Sequence, residues 1–171
     1  MSLVATDWLE KNLKNVKILD ATWHMPSSNK NAAQEFFNNH IQGAQFFDLD
    51  KNSDVNNSVP HMLPSKEKWQ KIISNYGISN EDIIVVYDNS DVISSCRCWY
   101  NFIYFGHDSK KVFVLDGGLK KWKLENKKTF NQPEIFNRTK YLAEENINLV
   151  KNKLQINQNV KESNFQLIDA R

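Results

Sequence analysis

The 171-residue sequence has little cysteine, little glycine, few prolines and no long hydrophobic run. Its two cysteines, Cys96 and Cys98, are too few for the disulfide framework of a small secreted protein. Their spacing of two residues would place them about 200° apart around a helix, so we expect them on opposite faces. This spacing argues against a disulfide between them and against a shared metal ion, and the sequence predicts no metal site.

The sequence also lacks an excess of either charge. The formal net charge is +2 and the lysines and arginines are scattered, which argues against nucleic acid as a partner. No segment approaches the roughly 20 apolar residues that a membrane-spanning helix needs, and the first residues contain no apolar signal core after a basic start. We therefore expect a cytoplasmic protein without a nucleic-acid or membrane partner.

Helix-like and strand-like segments alternate over most of the chain. This alternation predicts an α/β fold with a central parallel sheet and helices on both faces. Ligands of such sheets gather at the carboxyl ends of the strands, so the loops after the strands are the candidate site-forming loops. The apolar patterns predict strands at 17–21, 45–47, 83–87 and 111–115, and helices at 7–14, 31–39, 66–76, 94–105 and directly after Gly118.

One strand ending occurs twice, as Lys17–Thr22 (KILDAT) and as Gln166–Arg171 (QLIDAR). Two copies about one domain apart indicate a duplicated protein. The sequence therefore predicts a first domain over residues 1–126, a linker with one helix over 127–163, and the first strand of a second domain over 164–171. Apolar residues at helical spacing place the linker helix at 142–154. On this view part of the chemistry lies beyond Arg171.

Four segments resemble, in order and spacing, the first domain of two-domain rhodanese-type sulfurtransferases, the 3-mercaptopyruvate and thiosulfate sulfurtransferases. The resemblance covers roughly residues 3–125, and Leu167–Arg171 resembles the first strand of the second domain in that family. It implies a rhodanese-like fold, whose central parallel sheet has helices on both faces, as the alternating pattern predicts. The segments are His40–Asp50, His61–Pro64, Val85–Asp88, and Phe105–His107 together with Val114–Leu119.

The resemblance implies a reaction without a metal or an organic cofactor. A cysteine thiolate in the second domain takes a sulfane sulfur from a small anionic donor, 3-mercaptopyruvate or thiosulfate, and holds it as a persulfide. It passes the sulfur to cyanide, a thiol or thioredoxin. The first domain would then pack against its own second domain.

The first domain is expected to be catalytically silent. In active domains of the family the cysteine follows the central apolar strand and opens a loop of backbone N–H groups that holds the anion. Asp88 occupies this place here, and Cys96 lies eight residues later in a predicted helix. An aspartate cannot form a persulfide, so the nucleophile would lie beyond residue 171.

Three residues are carried over from the family as site residues. Asp50 and His61 match an aspartate and a histidine of the first domain that face the reactive cysteine in the mercaptopyruvate branch. A histidine oriented by a carboxylate can shuttle the proton that sulfur transfer releases. Arg171 matches an arginine that binds the carboxylate or sulfonate end of the donor, for which a guanidinium is suited.

A second interpretation remains open, in which the chain is a non-catalytic rhodanese-like module for binding or regulation. The apolar ending Ile168–Arg171 separates the two interpretations. A module on its own has no use for an unpaired apolar strand, whose exposed edge favours aggregation. The sequence therefore favours the enzyme, with the 171-residue chain alone inactive.

Overall fold

The computed structural model describes residues 2–169. Its centre is a five-stranded sheet in which every neighbouring pair of strands is parallel. The strand order is β1–β5–β4–β2–β3, so the carboxyl ends of all five strands lie along one edge. The strands are β1 (Leu3–Val4), β2 (Lys17–Asp20), β3 (Ala44–Phe46), β4 (Ile84–Tyr87) and β5 (Val112–Leu115).

Six α-helices accompany the sheet, and the first five fall between or directly after its strands. Ser65 caps α3 by accepting a hydrogen bond from the backbone N–H of Lys68. Short 3-10 turns lie at Pro26–Ser28 and Ile147–Leu149. The helices are α1 (Thr6–Asn12), α2 (Ala32–Asn38), α3 (Lys66–Asn75), α4 (Ser95–Tyr104), α5 (Gly118–Leu124) and α6 (Lys153–Glu162).

The two faces of the sheet are covered by different helices, which confirms the predicted α/β architecture. Side chains alternate along β4, and all four of its residues are buried. Val86 belongs to the core cluster that contains Trp69 of α3 and Phe102 of α4. Val85 belongs to the opposite cluster, which contains Trp122 of α5 together with side chains of α1 and α2. The central strand is therefore covered on both faces.

The predicted helix over 142–154 is wrong. The only helical turn between residues 126 and 152 is the short 3-10 segment, and α6 begins at Lys153. A capping box starts α6 there, because the Asn152 side chain accepts from the Gln155 N–H and the Gln155 side chain accepts from the Asn152 N–H. The side chain of Leu124, at the end of α5, is exposed.

Residues 139–146, expected to belong to a linker, are packed in extended form against the first domain. The backbone N–H groups of Glu144 and Asn146 donate to the carbonyl groups at the end of α4. Tyr141 is buried in the core cluster beneath α3 and α4. These contacts satisfy the backbone without a helix, which explains why the apolar spacing was misleading. Within residues 2–169, no helix is long and apolar enough to cross a membrane.

Candidate functional site

The loops after β2, β3 and β4 meet at the carboxyl edge of the sheet, where they bring Asp50 and His61 together. The imidazole Nε2 of His61 lies 2.7 Å from Oδ1 of Asp50. Both residues belong to the long connection between β3 and α3, and neither side chain is fully buried. The two site residues predicted in this domain therefore form one polar pair that solvent can reach.

The side chain of Trp23 holds the pair from the side of β2. Its indole N–H lies 3.2 Å from each carboxylate oxygen of Asp50. Its ring meets the His61 imidazole edge to face, with the ring centroids 4.9 Å apart. A shallow cavity of about 360 Å³, lined in part by Trp23, Lys30 and Asp50, opens beside the pair. The carboxylate is thus fixed by two N–H groups from different loops.

The backbone of His61 has an uncommon conformation. Its φ angle is +59°, in the left-handed region that costs a non-glycine residue about 1–2 kcal/mol. The guanidinium of Arg97, on the first turn of α4, donates to the carbonyl oxygen of His61. A contact from outside the loop therefore supports the strained residue that presents the imidazole.

Asp88 follows β4, at the place where the resemblance puts the cysteine of an active domain. One carboxylate oxygen accepts from the backbone N–H and the hydroxyl of Ser90, at 3.0 and 3.2 Å. The other accepts from the backbone N–H of Ser95 at 2.7 Å, at the start of α4. The carboxylate of Asp88 therefore already binds the N–H groups of Ser90 and Ser95.

Neither cysteine is placed to act as a nucleophile. Cys98 is buried in the core, and burial raises the pKa of its thiol well above the usual value. Cys96 is exposed, and partial burial together with the charge of Asp88 raises its pKa. Both thiols thus favour the protonated form, which is not nucleophilic. Their opposite placement on α4 confirms the expectation from their spacing.

Asp20 ends β2 and anchors the network behind the site. Its carboxylate accepts from the backbone N–H of Thr22 at 2.9 Å and from the Thr22 hydroxyl. That hydroxyl in turn accepts from the backbone N–H of Asn89 at 2.9 Å. Burial raises the pKa of Asp20 to about 6, although hydrogen bonds from Thr22 and Tyr87 oppose the effect. The loops after β2 and β4 are thereby tied together.

The sequence model of the rhodanese-like domain matches residues 5–125. The chain belongs to the rhodanese-like domain family. This confirms the resemblance and identifies the five-stranded sheet with its covering helices as a rhodanese fold. The match covers the strands β2 to β5 and begins directly after β1, and it includes the loops that carry Trp23, Asp50, His61 and Asp88.

Named relatives of this rhodanese-like chain are sulfurtransferases. A mitochondrial thiosulfate/3-mercaptopyruvate sulfurtransferase of Arabidopsis thaliana is 48% identical over 123 residues, which cover 71% of this chain and 32% of that protein. The 3-mercaptopyruvate sulfurtransferase of Rattus norvegicus is 34% identical over 178 aligned residues, covering 99% of this chain and 59% of its own length. The chain therefore spans one to two thirds of the length of these relatives.

A solved structure extends the likeness to the whole chain. SseA from Escherichia coli, described with the rhodanese fold of 3-mercaptopyruvate sulfotransferases, superposes with a TM-score of 0.92 at 30% identity. The superposition covers 100% of this chain and 66% of SseA. The segment after residue 126 therefore also has a counterpart in a member of the family.

The third predicted site residue, Arg171, lies outside the described residues. The residues before it, 164–169, form no helix or strand, and Leu167 and Ile168 are exposed. The role of this segment as the first strand of a second domain stays a prediction. Within residues 2–169, no group of three or more His, Cys, Asp or Glu side chains is arranged to hold a metal ion.

The sequence did not identify Trp23 and Arg97 as partners of the pair. The indole N–H of Trp23 donates to the carboxylate of Asp50, and the guanidinium of Arg97 donates to the backbone carbonyl of His61. Contacts of these kinds leave no pattern in the sequence. The position of Trp23 directly after the repeated strand ending was the one available hint.

Proposed function

We propose that this chain is the silent, cleft-forming part of a sulfurtransferase that takes sulfur from 3-mercaptopyruvate or thiosulfate. The observation that carries the proposal is the pair of Asp50 and His61, held together at 2.7 Å on the carboxyl edge of the sheet. Asp88 in the place of the cysteine supports the silent role, because its carboxylate already occupies the loop. The reactive thiolate is supplied by a second rhodanese domain, against which this domain packs.

The mercaptopyruvate reaction requires a proton transfer that the pair of Asp50 and His61 can perform. The thiolate takes the donor's sulfur atom and forms an S–S bond, while the carbon–sulfur bond breaks. The proton of the donor thiol must reach the carbon that becomes the methyl group of pyruvate. His61, oriented by Asp50, is suited to accept and return this proton, and such general acid–base catalysis contributes about 10²–10⁴-fold.

The partners follow from this chemistry. The donor is a small anion, and cyanide, a thiol or thioredoxin accepts the sulfur from the persulfide. The reaction moves one sulfur atom and one proton, so it needs neither a metal nor an organic cofactor. Arg171 binds the carboxylate or sulfonate end of the donor through bidentate hydrogen bonds.

Thiocyanate formation from 3-mercaptopyruvate and cyanide tests the proposal. We expect turnover by the protein encoded by the complete gene and none by the 171-residue chain. His61→Ala in the complete protein should lower kcat by about 100-fold, because the proton shuttle is lost. Its thermal midpoint should change little, since the imidazole lies near the surface.

Matched aspartates in one loop provide the control. Asp50→Asn should lower kcat, whereas Asp54→Asn should not, because the Asp54 carboxylate accepts only from the nearby N–H of Asn56. Turnover by the 171-residue chain would show that the nucleophile was misplaced. An unchanged kcat for His61→Ala would show that His61 is an ordinary loop residue without a role in catalysis. A complete protein without turnover would favour the binding module.

A further inference from the structure

We propose that Trp23 and Arg97 are positioning residues that clamp the pair of Asp50 and His61 from two sides. Trp23 binds both oxygens of the Asp50 carboxylate, and Arg97 binds the backbone of His61. The inference rests on the proposed function, since it names what holds the proton-shuttling pair in place.

Both arms of the clamp are anchored at the start of α4. The backbone N–H of Trp23 donates to the hydroxyl of Ser94 at 3.0 Å. That hydroxyl donates to the carbonyl of Ala21 at 2.8 Å, so the loop after β2 is attached to the N-cap of α4. Arg97 lies on the first turn of the same helix. Both arms are therefore attached to the same turn of one helix.

The charge of Arg97 is used on a backbone group. Within residues 2–169, no carboxylate forms an ion pair with its guanidinium, and its hydrogen bond goes to the carbonyl oxygen of His61. The guanidinium is half-buried. Partial burial of a cation without a carboxylate partner costs free energy, and the hydrogen bond to the carbonyl of His61, whose φ is +59°, compensates part of that cost.

The loop that replaces the reactive cysteine is the base of this clamp. Asp88 accepts from the N–H of Ser95 at 2.7 Å and so fixes the first turn of α4. Ser94 and Arg97 then extend from that turn to Trp23 and His61. The silent loop thus acts as a scaffold for the pair.

The contact of Trp23 is tested by NMR on the 171-residue chain. The sequence has five tryptophans, and Trp23→Phe identifies the indole N–H signal of Trp23 by its loss. Asp50→Asn should shift that signal upfield, because a neutral amide is a weaker acceptor than a carboxylate. Asp54→Asn should leave it in place. If Asp50→Asn left the chemical shift of the Trp23 indole N–H unchanged, the clamp would be overturned.

The effect on catalysis is tested in the protein encoded by the complete gene. Trp23→Phe should lower kcat for 3-mercaptopyruvate about tenfold with KM within about twofold, since misplaced groups slow the chemical step more than binding. Trp99→Phe is the control, because it loses an indole hydrogen bond to Val112 remote from the pair. Arg97→Met should lower kcat similarly, and Arg97→Lys should recover part of it.

The outcomes separate the clamp from the proposed function. Wild-type kcat in Trp23→Phe and in Arg97→Met would overturn the positioning role. A loss that appears equally in Trp99→Phe would assign the effect to stability and also overturn it. A complete protein without sulfur transfer would refute the proposed function and the catalytic role of the clamp, whereas the NMR signal would still decide whether Trp23 holds Asp50.

Discussion

Asp20 should make the stability of this protein fall as the pH rises from 4 to 7. The carboxyl group is buried at the end of β2. Burial raises its pKa from the usual 3.8 to about 6, and hydrogen bonds from Thr22 and Tyr87 offset only part of this. The folded state therefore holds a proton that the unfolded chain has already released. As the pH passes through this window, ionising the buried carboxyl reduces the free energy of unfolding.

The size of the effect follows from the two pKa values. A pKa difference of about 2, at about 1.4 kcal/mol per pKa unit, corresponds to roughly 3 kcal/mol between the two pH limits. The contribution is fully present below pH 3.8 and lost above about pH 6. About 2 kcal/mol of it should disappear between pH 4.5 and 7, which is a large share of the stability of a typical domain.

Comparing the wild type with Asp20→Asn isolates this carboxyl group. The asparagine keeps an oxygen that accepts from Thr22 but does not titrate. His107 has the opposite effect on stability. Burial lowers its pKa, so the unfolded chain binds a proton more tightly than the folded state does, and the free energy of unfolding rises with pH. That effect is common to both proteins and cancels in the difference between them.

Urea unfolding followed by tryptophan fluorescence at pH 4.5, 5.5, 6.5 and 7 gives the free energies. The wild type should lose about 2 kcal/mol relative to Asp20→Asn over this range. If the free energy of unfolding changed with pH by the same amount in both proteins, the reasoning would be refuted. That result would mean that the Asp20 carboxyl is solvated in the folded state.

Two further predictions concern stability. Asp88→Asn should lower the free energy of unfolding by about 1–3 kcal/mol in urea, because an amide cannot accept at both of its positions and one N–H would lose its partner. The exposed Asp91→Asn should lower the free energy of unfolding less than Asp88→Asn does, and equal losses would contradict the role given to Asp88. Ending the chain after residue 150 should leave the thermal midpoint nearly unchanged in calorimetry, because α6 is mostly exposed. Ending it after residue 137 removes the buried Tyr141 and should lower the midpoint on the order of 10 °C, and a small change would show that the segment only rests on the surface.

Much of the fold was predictable from the sequence because its signals are local. The apolar run at β4 and the alternating helices predict a covered parallel sheet, and the structure has one. The strand β1 was missed because Leu3–Val4 is too short to show a period. This strand forms because it pairs with β5, which lies more than 100 residues away in the chain. The local sequence of two residues cannot indicate such a distant partner.

The helix placed at 142–154 shows the opposite failure. Apolar residues spaced as in Ala143 and Ile147 imitate one face of a helix, yet Ala143 is buried in the core and Ile147 is exposed. The extended backbone there pairs with carbonyl groups at the end of α4, which no local pattern reveals. The capping box at Asn152 and Gln155 was a readable local signal, and it marks where α6 begins.

The pair of Asp50 and His61 was predictable only through the resemblance to the family, because the residues lie eleven positions apart in a polar loop. Their closeness depends on the fold of that loop and on contacts from two other elements. Trp23 reaches the pair from the loop after β2, and Arg97 reaches it from α4. Sequence periodicity describes which residues share a face of one element, so it cannot describe a site assembled from three.

The charges around the site give a reason for the aspartate in the place of the cysteine. Lys30 and Lys120 both bind the carboxylate of Asp91, which offsets part of their positive charge. A second anion in the loop would meet the carboxylate of Asp88, which already accepts from the N–H groups of Ser90 and Ser95. Repulsion between like charges therefore disfavours the binding of another anion next to Asp88. In the proposed function the donor reacts beside His61, and Asp88 supports the helix whose first turn carries Arg97.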